Sequence, residues 1–236
     1  MAFGLEVLTF GTFFMMASGL PEWCMPDKAP DINVTPTTEQ VKYDYGRHSA
    51  HLGHLLKTHG DGHSPYEPGT KTITKGLHKA RVNFKTNFKV SKITNRQTGE
   101  VCMSYTEVNV FFHVDPTIFI TNQHPPGTCE HAAIKEHELK HLMADREVIN
   151  DYSLWIGQAI QDDFNRYGYT WGPMPQIEET TNFQEMKDTL NGLVKPMIQE
   201  FSKDRQQRQN AIDSLEEYER VANMCKGGVS IHGHRH

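Results

Sequence analysis

From Val82 to Val90 the chain alternates. Val82, Phe84, Phe88 and Val90 lie on one side, and Asn83, Lys85, Asn87 and Lys89 on the other. A period of two predicts a strand with one buried face. Asn95 to Gly99, reading NRQTG, predicts a turn. The next strand begins with apolar Val101, Met103 and Tyr105 at odd positions, then continues with Val108, Val110, Phe112 and Val114 at even ones. Such a switch of parity within one strand predicts a β-bulge, here near Thr106 or Glu107. Pro116 interrupts the run, and Ile118 to Thr121 can add a third short strand. Together these segments predict a small antiparallel meander.

From Cys129 the period becomes helical. Ile134, His141, Leu142, Asp145, Val148, Ile149, Tyr152, Trp155, Ile156, Ala159 and Ile160 form one stripe at spacings of three and four. The pattern predicts a helix to about Asn165, ended by Gly168, Gly172, Pro173 and Pro175. A second helical stripe starts near Thr181, with Phe183, Met186, Leu190, Leu193, Met197 and Phe201 inward. Pro196 should kink or split it. Ser202 to Asn210 is almost wholly polar and reads as solvent-exposed or loop. Ile212, Leu215, Val221 and Ala222 resume a helical stripe. The expected class is α+β: a small antiparallel meander packed on a long helix, with further helices toward the C-terminus.

The N-terminal third has little regular pattern. Val7 to Gly19 is apolar but too short to span a bilayer, so no stable transmembrane anchor is expected there. Ala17 and Gly19 have the small-residue spacing of a signal-peptidase site, so 1–19 reads as a secretory signal peptide. Residues 20–79, rich in proline and glycine, read as a loop-rich arm with one short helix near Thr38 to Lys57. The arm carries His48, His51, His54, His59 and His63, a solvated polar face or a second metal site. Residues 80–236 form the remaining domain.

Composition narrows the function classes. The formal charge of -5, with no dense Lys/Arg run, argues against a nucleic-acid partner. Fourteen histidines point toward metal. The four cysteines, Cys24, Cys102, Cys129 and Cys225, include no C-x-x-C pair and suit two disulfides in an exported chain. Cys102 and Cys129 flank the segment joining sheet to helix and are the expected pair, with Cys24–Cys225 as its companion.

The chemistry concentrates at His137-Glu138-Leu139-Lys140-His141. On a helix, His137 and His141 lie roughly 40° apart around the axis and roughly 6 Å apart along it, so both imidazoles can reach one ion. Glu138 sits on the flank of that face, poorly placed as a ligand but near enough to meet a water on the metal. This is the H-E-x-x-H arrangement of zinc peptidases. In them zinc acidifies a water and the carboxylate takes its proton. Glu138 is therefore the candidate catalytic base, and His137 and His141 the candidate zinc ligands.

The third ligand is open at this level. Glu147 faces elsewhere on an unbroken helix. Asp145, four residues past His141, can support that histidine without reaching the metal itself. Glu178, Glu179 and Glu185 on a later helix, or His232 or His234 in the tail, remain candidates. His232, His234 and His236 also read as a disordered tail.

From about Val82 onward the chain resembles a bacterial family of predicted secreted zinc-dependent proteases, otherwise uncharacterised. The shared features are Cys102 in a strand, a further short strand, a helix bearing H-E-x-x-H, and helix to the C-terminus. The resemblance implies a secreted or periplasmic envelope protein acting on a peptide or protein substrate. The layout of sheet followed by motif helix is that of zincin-type peptidases. The alternative is an envelope protein that binds zinc without hydrolysis, as a metal buffer or a degenerate peptidase.

Overall fold

One strand, β5 (Glu100–Ile120), pairs with four others in the computed structural model, which describes residues 8–9, 19–59 and 73–226. The other strands of the six-stranded sheet are β1 (Leu8–Thr9), β2 (Asp31–Thr38), β3 (Lys42–Asp44), β4 (Gly76–Thr94) and β6 (Thr170–Pro175). β1 lies antiparallel to β2 and β6 antiparallel to β5, whereas β3 runs parallel to β5.

The chain mixes helix and strand as expected, but the sheet is mixed and the antiparallel meander is not formed. Ile118 to Thr121 is not a separate third strand. β5 continues through Pro116, and its ladder to β3 occupies Thr117 to Phe119, just past the proline that cannot donate to a ladder. The turn lies where the pattern puts it: Asn95 N–H bonds the Glu100 carbonyl at 2.8 Å, and Gly99 takes φ +75°. The buried face of β5 changes parity at Thr106 and Glu107, both half-buried, between buried Tyr105 and Val108. The register shift in the pairing with β6 lies elsewhere, between Val101 and Met103.

Contacts divide the chain into two compact units, each discontinuous in sequence. One comprises the chain up to Thr37, Val82–His113 and Val148–Ser202. Its core includes Val108, Val110, Phe112, Ile156, Ile160 and Met186, all fully buried. The second comprises Thr38–Arg81, Val114–Glu147 and the chain from Lys203. It contains a cluster of Ile118, Ile120 and Ile134, against which Val41, Tyr45, Leu139 and Val221 pack.

Among the helices, α1 (Ser49–His59) is shorter than the arm's expected helix, because residues from Asp31 to Asp44 are largely taken by β2 and β3. α2 (Cys129–Tyr167) starts on Thr128, whose hydroxyl accepts the His131 N–H at 3.2 Å, an N-cap. It ends on Gly168 at φ +84°, which donates back to the Phe164 carbonyl. α3 (Glu179–Ile212) passes through Pro196 unbroken and includes the polar stretch Ser202–Asn210, read above as exposed or loop. α4 (Leu215–Asn223) is capped by Ser214, which accepts from Glu217 N–H at 3.2 Å.

The expected Cys102–Cys129 bond is not made. The disulfides are Cys24–Cys102 and Cys129–Cys225, one within each unit. Because β5 runs uninterrupted from Glu100 to Ile120, Cys102 lies roughly 60 Å of extended chain before that strand's end. Among the described residues no helix is long and apolar enough to cross a membrane. The two disulfides fit a location outside the reducing cytoplasm, extracellular or periplasmic. Apart from Leu8, Thr9 and Gly19, the 1–19 segment lies outside the described residues. So do His63 and the tail histidines.

Candidate metal centre

His137 and His141 occupy successive turns of α2 within the second unit, and both are buried. Their Nε2 atoms stand 3.3 Å apart. Asp213, from the break between α3 and α4, closes a triangle: its Oδ1 is 3.3 Å from His137 Nε2 and 3.2 Å from His141 Nε2. These three residues form the metal-capable group among the described residues. Neither Glu178, Glu179 nor Glu185 belongs to it, nor do His48, His51 and His54. His232 and His234 lie outside the described residues.

The surrounding polar groups set which nitrogen of each histidine points into the triangle. His141 Nδ1 is 2.6 Å from Gln209 Oε1, which has only acceptor lone pairs, so in the neutral ring Nδ1 keeps the proton and Nε2 is the nitrogen with the free lone pair. Gln209 Nε2 in turn donates to the His141 carbonyl at 2.9 Å and to Asp145 Oδ1 at 2.6 Å. Asp145 is fully buried and held by both Nε and Nη2 of Arg205, at 2.7 and 3.0 Å. It therefore reaches His141 through Gln209 and not directly.

On the other side His137 Nδ1 meets Glu217 Oε1 at 3.4 Å. Glu217 also takes Lys140 Nζ at 2.7 Å and a two-pronged contact from Arg220 at 2.7 and 2.8 Å. Chiefly the Arg220 guanidinium brings the Glu217 carboxyl down to about 2. Tyr218 donates its hydroxyl to Asp213 Oδ1 at 3.0 Å. Every member of the triangle thus has an outer partner that orients it, the arrangement that metal ligands need.

Without a metal the triangle is held by charge. Burial opposes the imidazolium form of both histidines, but Asp213 and Glu138 outweigh it: His137 is raised and His141 reaches about 9. Burial likewise opposes the Asp213 carboxylate, yet hydrogen bonds from the two histidines hold it well below the usual range. Glu138 is 5% exposed, and burial pushes its carboxyl up against the pull of His141 and His137. Its carboxylate accepts the backbone N–H of His78 at the start of β4. The His78 ring lies parallel to that of His141 at 6.1 Å, and burial takes its pKa down to about 4.

Sequence reasoning singled out His137 and His141, which the structure brings together, and Glu138 beside them, but not Asp213, Gln209 or Glu217. Two signals were present. Arg205, Gln209, Asp213 and Glu217 recur every four residues, a polar stripe on one helical face. Ser214-Leu215-Glu216-Glu217 is a capping-box pattern that announces a fresh helix start just after Asp213.

Comparison with known proteins found no family model, no curated protein and no solved structure that matches the chain.

Proposed function

We propose that the chain is a zinc-dependent peptidase in which Glu138 is the general base. The observation that carries this reading is the triangle of His137, His141 and Asp213 with Glu138 buried on its flank. Tetrahedral zinc, with nitrogen and oxygen ligands near 2.0–2.2 Å, places those ligand atoms roughly 3.3–3.5 Å apart. The triangle edges of 3.2 to 3.3 Å fit one face of such a tetrahedron. Two imidazoles disfavour calcium and magnesium, which take oxygen donors. Asp213 and Glu138 supply two negative charges against the two positive charges of the ion, so the buried site can be neutral.

Three protein ligands leave a fourth position open, the pattern of catalytic and not closed structural zinc sites. Bound zinc supplies a Lewis acid and a water that ionises near neutral pH. The remaining work falls to the chain. With the ion held there, Glu138 would take a proton from the attacking water and return it to the departing amine of a cleaved amide. The burial that raises its pKa moves it toward the neutral range where a general base works best. Gln209 and Glu217 keep the Nδ1 atoms occupied, so each Nε2 stays aimed at the ion. The two disulfides support an extracellular or periplasmic location, and the H-E-x-x-H motif makes a peptide or protein the substrate proposed.

One observation favours the second reading, zinc binding without hydrolysis. His137, Glu138 and His141 are only 6%, 5% and 7% exposed. The Asp213 side chain is the most exposed of the triangle, at 19%. Metal analysis together with a peptide-cleavage assay on wild type and Glu138→Gln separates the two. A peptidase binds one zinc in both proteins and cleaves only as wild type. A pure binder holds zinc in both and cleaves in neither.

A further inference from the structure

Gly76 opens β4 and faces the motif helix. A Cβ there would overlap Glu138 Oε1 and stand 2.5 Å from Ile134 Cγ2. Its backbone lies outside the positive-φ region, since Gly19, Gly99, Gly127, Gly168 and Gly172 are the described glycines found there. Space, and not backbone conformation, is what demands a glycine. The residue before it is anchored: Lys75 accepts the Thr121 N–H at 2.8 Å, tying this strand start to the end of β5. Two residues on, the His78 N–H holds the Glu138 carboxylate.

We propose that Gly76 to His78 is the positioning element for Glu138: the His78 N–H fixes the carboxylate, and the bare Cα of Gly76 leaves it one place to lie. This rests on the reading of Glu138 as the general base. A carboxylate on a helix flank can rotate through several rotamers, most of them away from the ion. Here the strand backbone closes one side of the available space, and the hydrogen bond selects the oxygen's direction. A misplacement of about 1 Å is enough to cost a proton-transfer group much of its effect. None of the three metal ligands touches Gly76 among its nearest neighbours, which are Glu138 and Ile134.

The test uses the full-length zinc-loaded protein and the variants Gly76→Ala, Glu138→Ala and their combination. Zinc stoichiometry and affinity are read by chelator competition, kcat and KM with a peptide substrate, and thermal melting throughout. Gly76→Ala should retain one zinc within about threefold of wild-type affinity and keep KM within about threefold. Its kcat should fall at least about tenfold, because only the base is displaced. In melting, Gly76→Ala should cost more in the presence of Glu138 than in the Glu138→Ala background, since the new methyl then meets no carboxylate. Should Gly76→Ala fail to fold, Gly76→Ala/Ile134→Ala, which removes the second obstructing group, takes its place in both cycles. Unchanged kcat in a cleaving enzyme, or additive melting effects, would overturn the positioning role and leave the peptidase reading standing. Non-additive melting with no cleavage by wild type would sink the peptidase reading and keep the contact.

Discussion

Replacing Asp213 by Asn should weaken zinc binding by an amount that grows with pH. The neutral amide keeps the volume and removes the anionic ligand. Structural zinc sites with four ligands bind with about 10–16 kcal/mol, so one ligand is worth about 3–4 kcal/mol, or roughly 10²–10³-fold. A second effect opposes it. In the metal-free wild type His141 titrates at about 9, largely because Asp213 and Glu138 outweigh burial. Zinc needs Nε2 bare, and stripping a proton held with that pKa costs about 2.7 kcal/mol at pH 7 but only about 0.4 kcal/mol at pH 9. With Asn at 213 the His141 pKa falls back toward its ordinary value, and that cost nearly vanishes at both pH values. The net loss is then about 1 kcal/mol at pH 7, roughly five- to tenfold, and about 3 kcal/mol at pH 9, on the order of 10²-fold. Raised His137 acts in the same direction. The assay is competition with a zinc-buffering chelator at both pH values on wild type and variant. A wild-type-to-variant ratio that stays constant or narrows between pH 7 and pH 9 would refute the coupling. A loss under about threefold at pH 9 would remove Asp213 from the ligand set.

Glu138→Gln should keep one zinc and lose cleavage by about 10²-fold or more, the worth of a positioned general base; equal cleavage rates would end that role. Zinc binding at pH 7 should release more than one proton per ion, because His141 and His137 are both raised in the metal-free state. Calorimetry in buffers of different ionisation enthalpy reads that number, and a release below about 0.5 would contradict the charged triangle. Breaking Cys129–Cys225, by thiol reduction or double serine substitution, should lower zinc affinity by about 10–100-fold. α4 has no buried residue of its own yet carries Glu217 and Tyr218, the outer partners of His137 and Asp213. Unchanged affinity after reduction would show that α4 stays docked without the bond.

Local pattern was enough to place α2, but not the bounds of α1 or the unbroken run of α3 through Pro196 and Ser202–Asn210. The α2 stripe holds from Ile134 to Ile160, with Trp155, 47% exposed, and half-buried Ala159 as the exceptions. Its ends also agree, because caps such as Thr128 and Gly168 act within one turn. Strand partners were a different matter. Period two says which face of β5 is buried but not which strand lies beside it, and the parallel partner β3 comes from 42–44, a segment of three residues without visible alternation. The disulfides failed for the same reason. Pairing Cys102 with Cys129 assumed that a short distance in sequence meant a short distance in space, whereas a strand of 21 residues carries its first and last residues far apart.

The candidate site divides along the same line. His137 and His141 are visible because one helix holds both, and a spacing of four is itself geometry. Asp213 is 72 residues from His141, and no periodicity relates them. What connects them is the helical register of α3. Arg205 and Gln209 sit four apart on one face; Arg205 holds Asp145, and Gln209 bridges Asp145 and His141. The next step of four brings the chain to Asp213, where α3 has ended and the Ser214 cap begins α4. A carboxylate at a helix break can aim at two imidazoles that a carboxylate within the helix would point past. The polar run, helical and not a loop, is exposed or half-buried except at Gln209, and through Arg205 and Gln209 it reaches the candidate site. Its Arg205 and Gln209 face the buried Asp145 and His141, and each buried polar group there requires a hydrogen-bond partner.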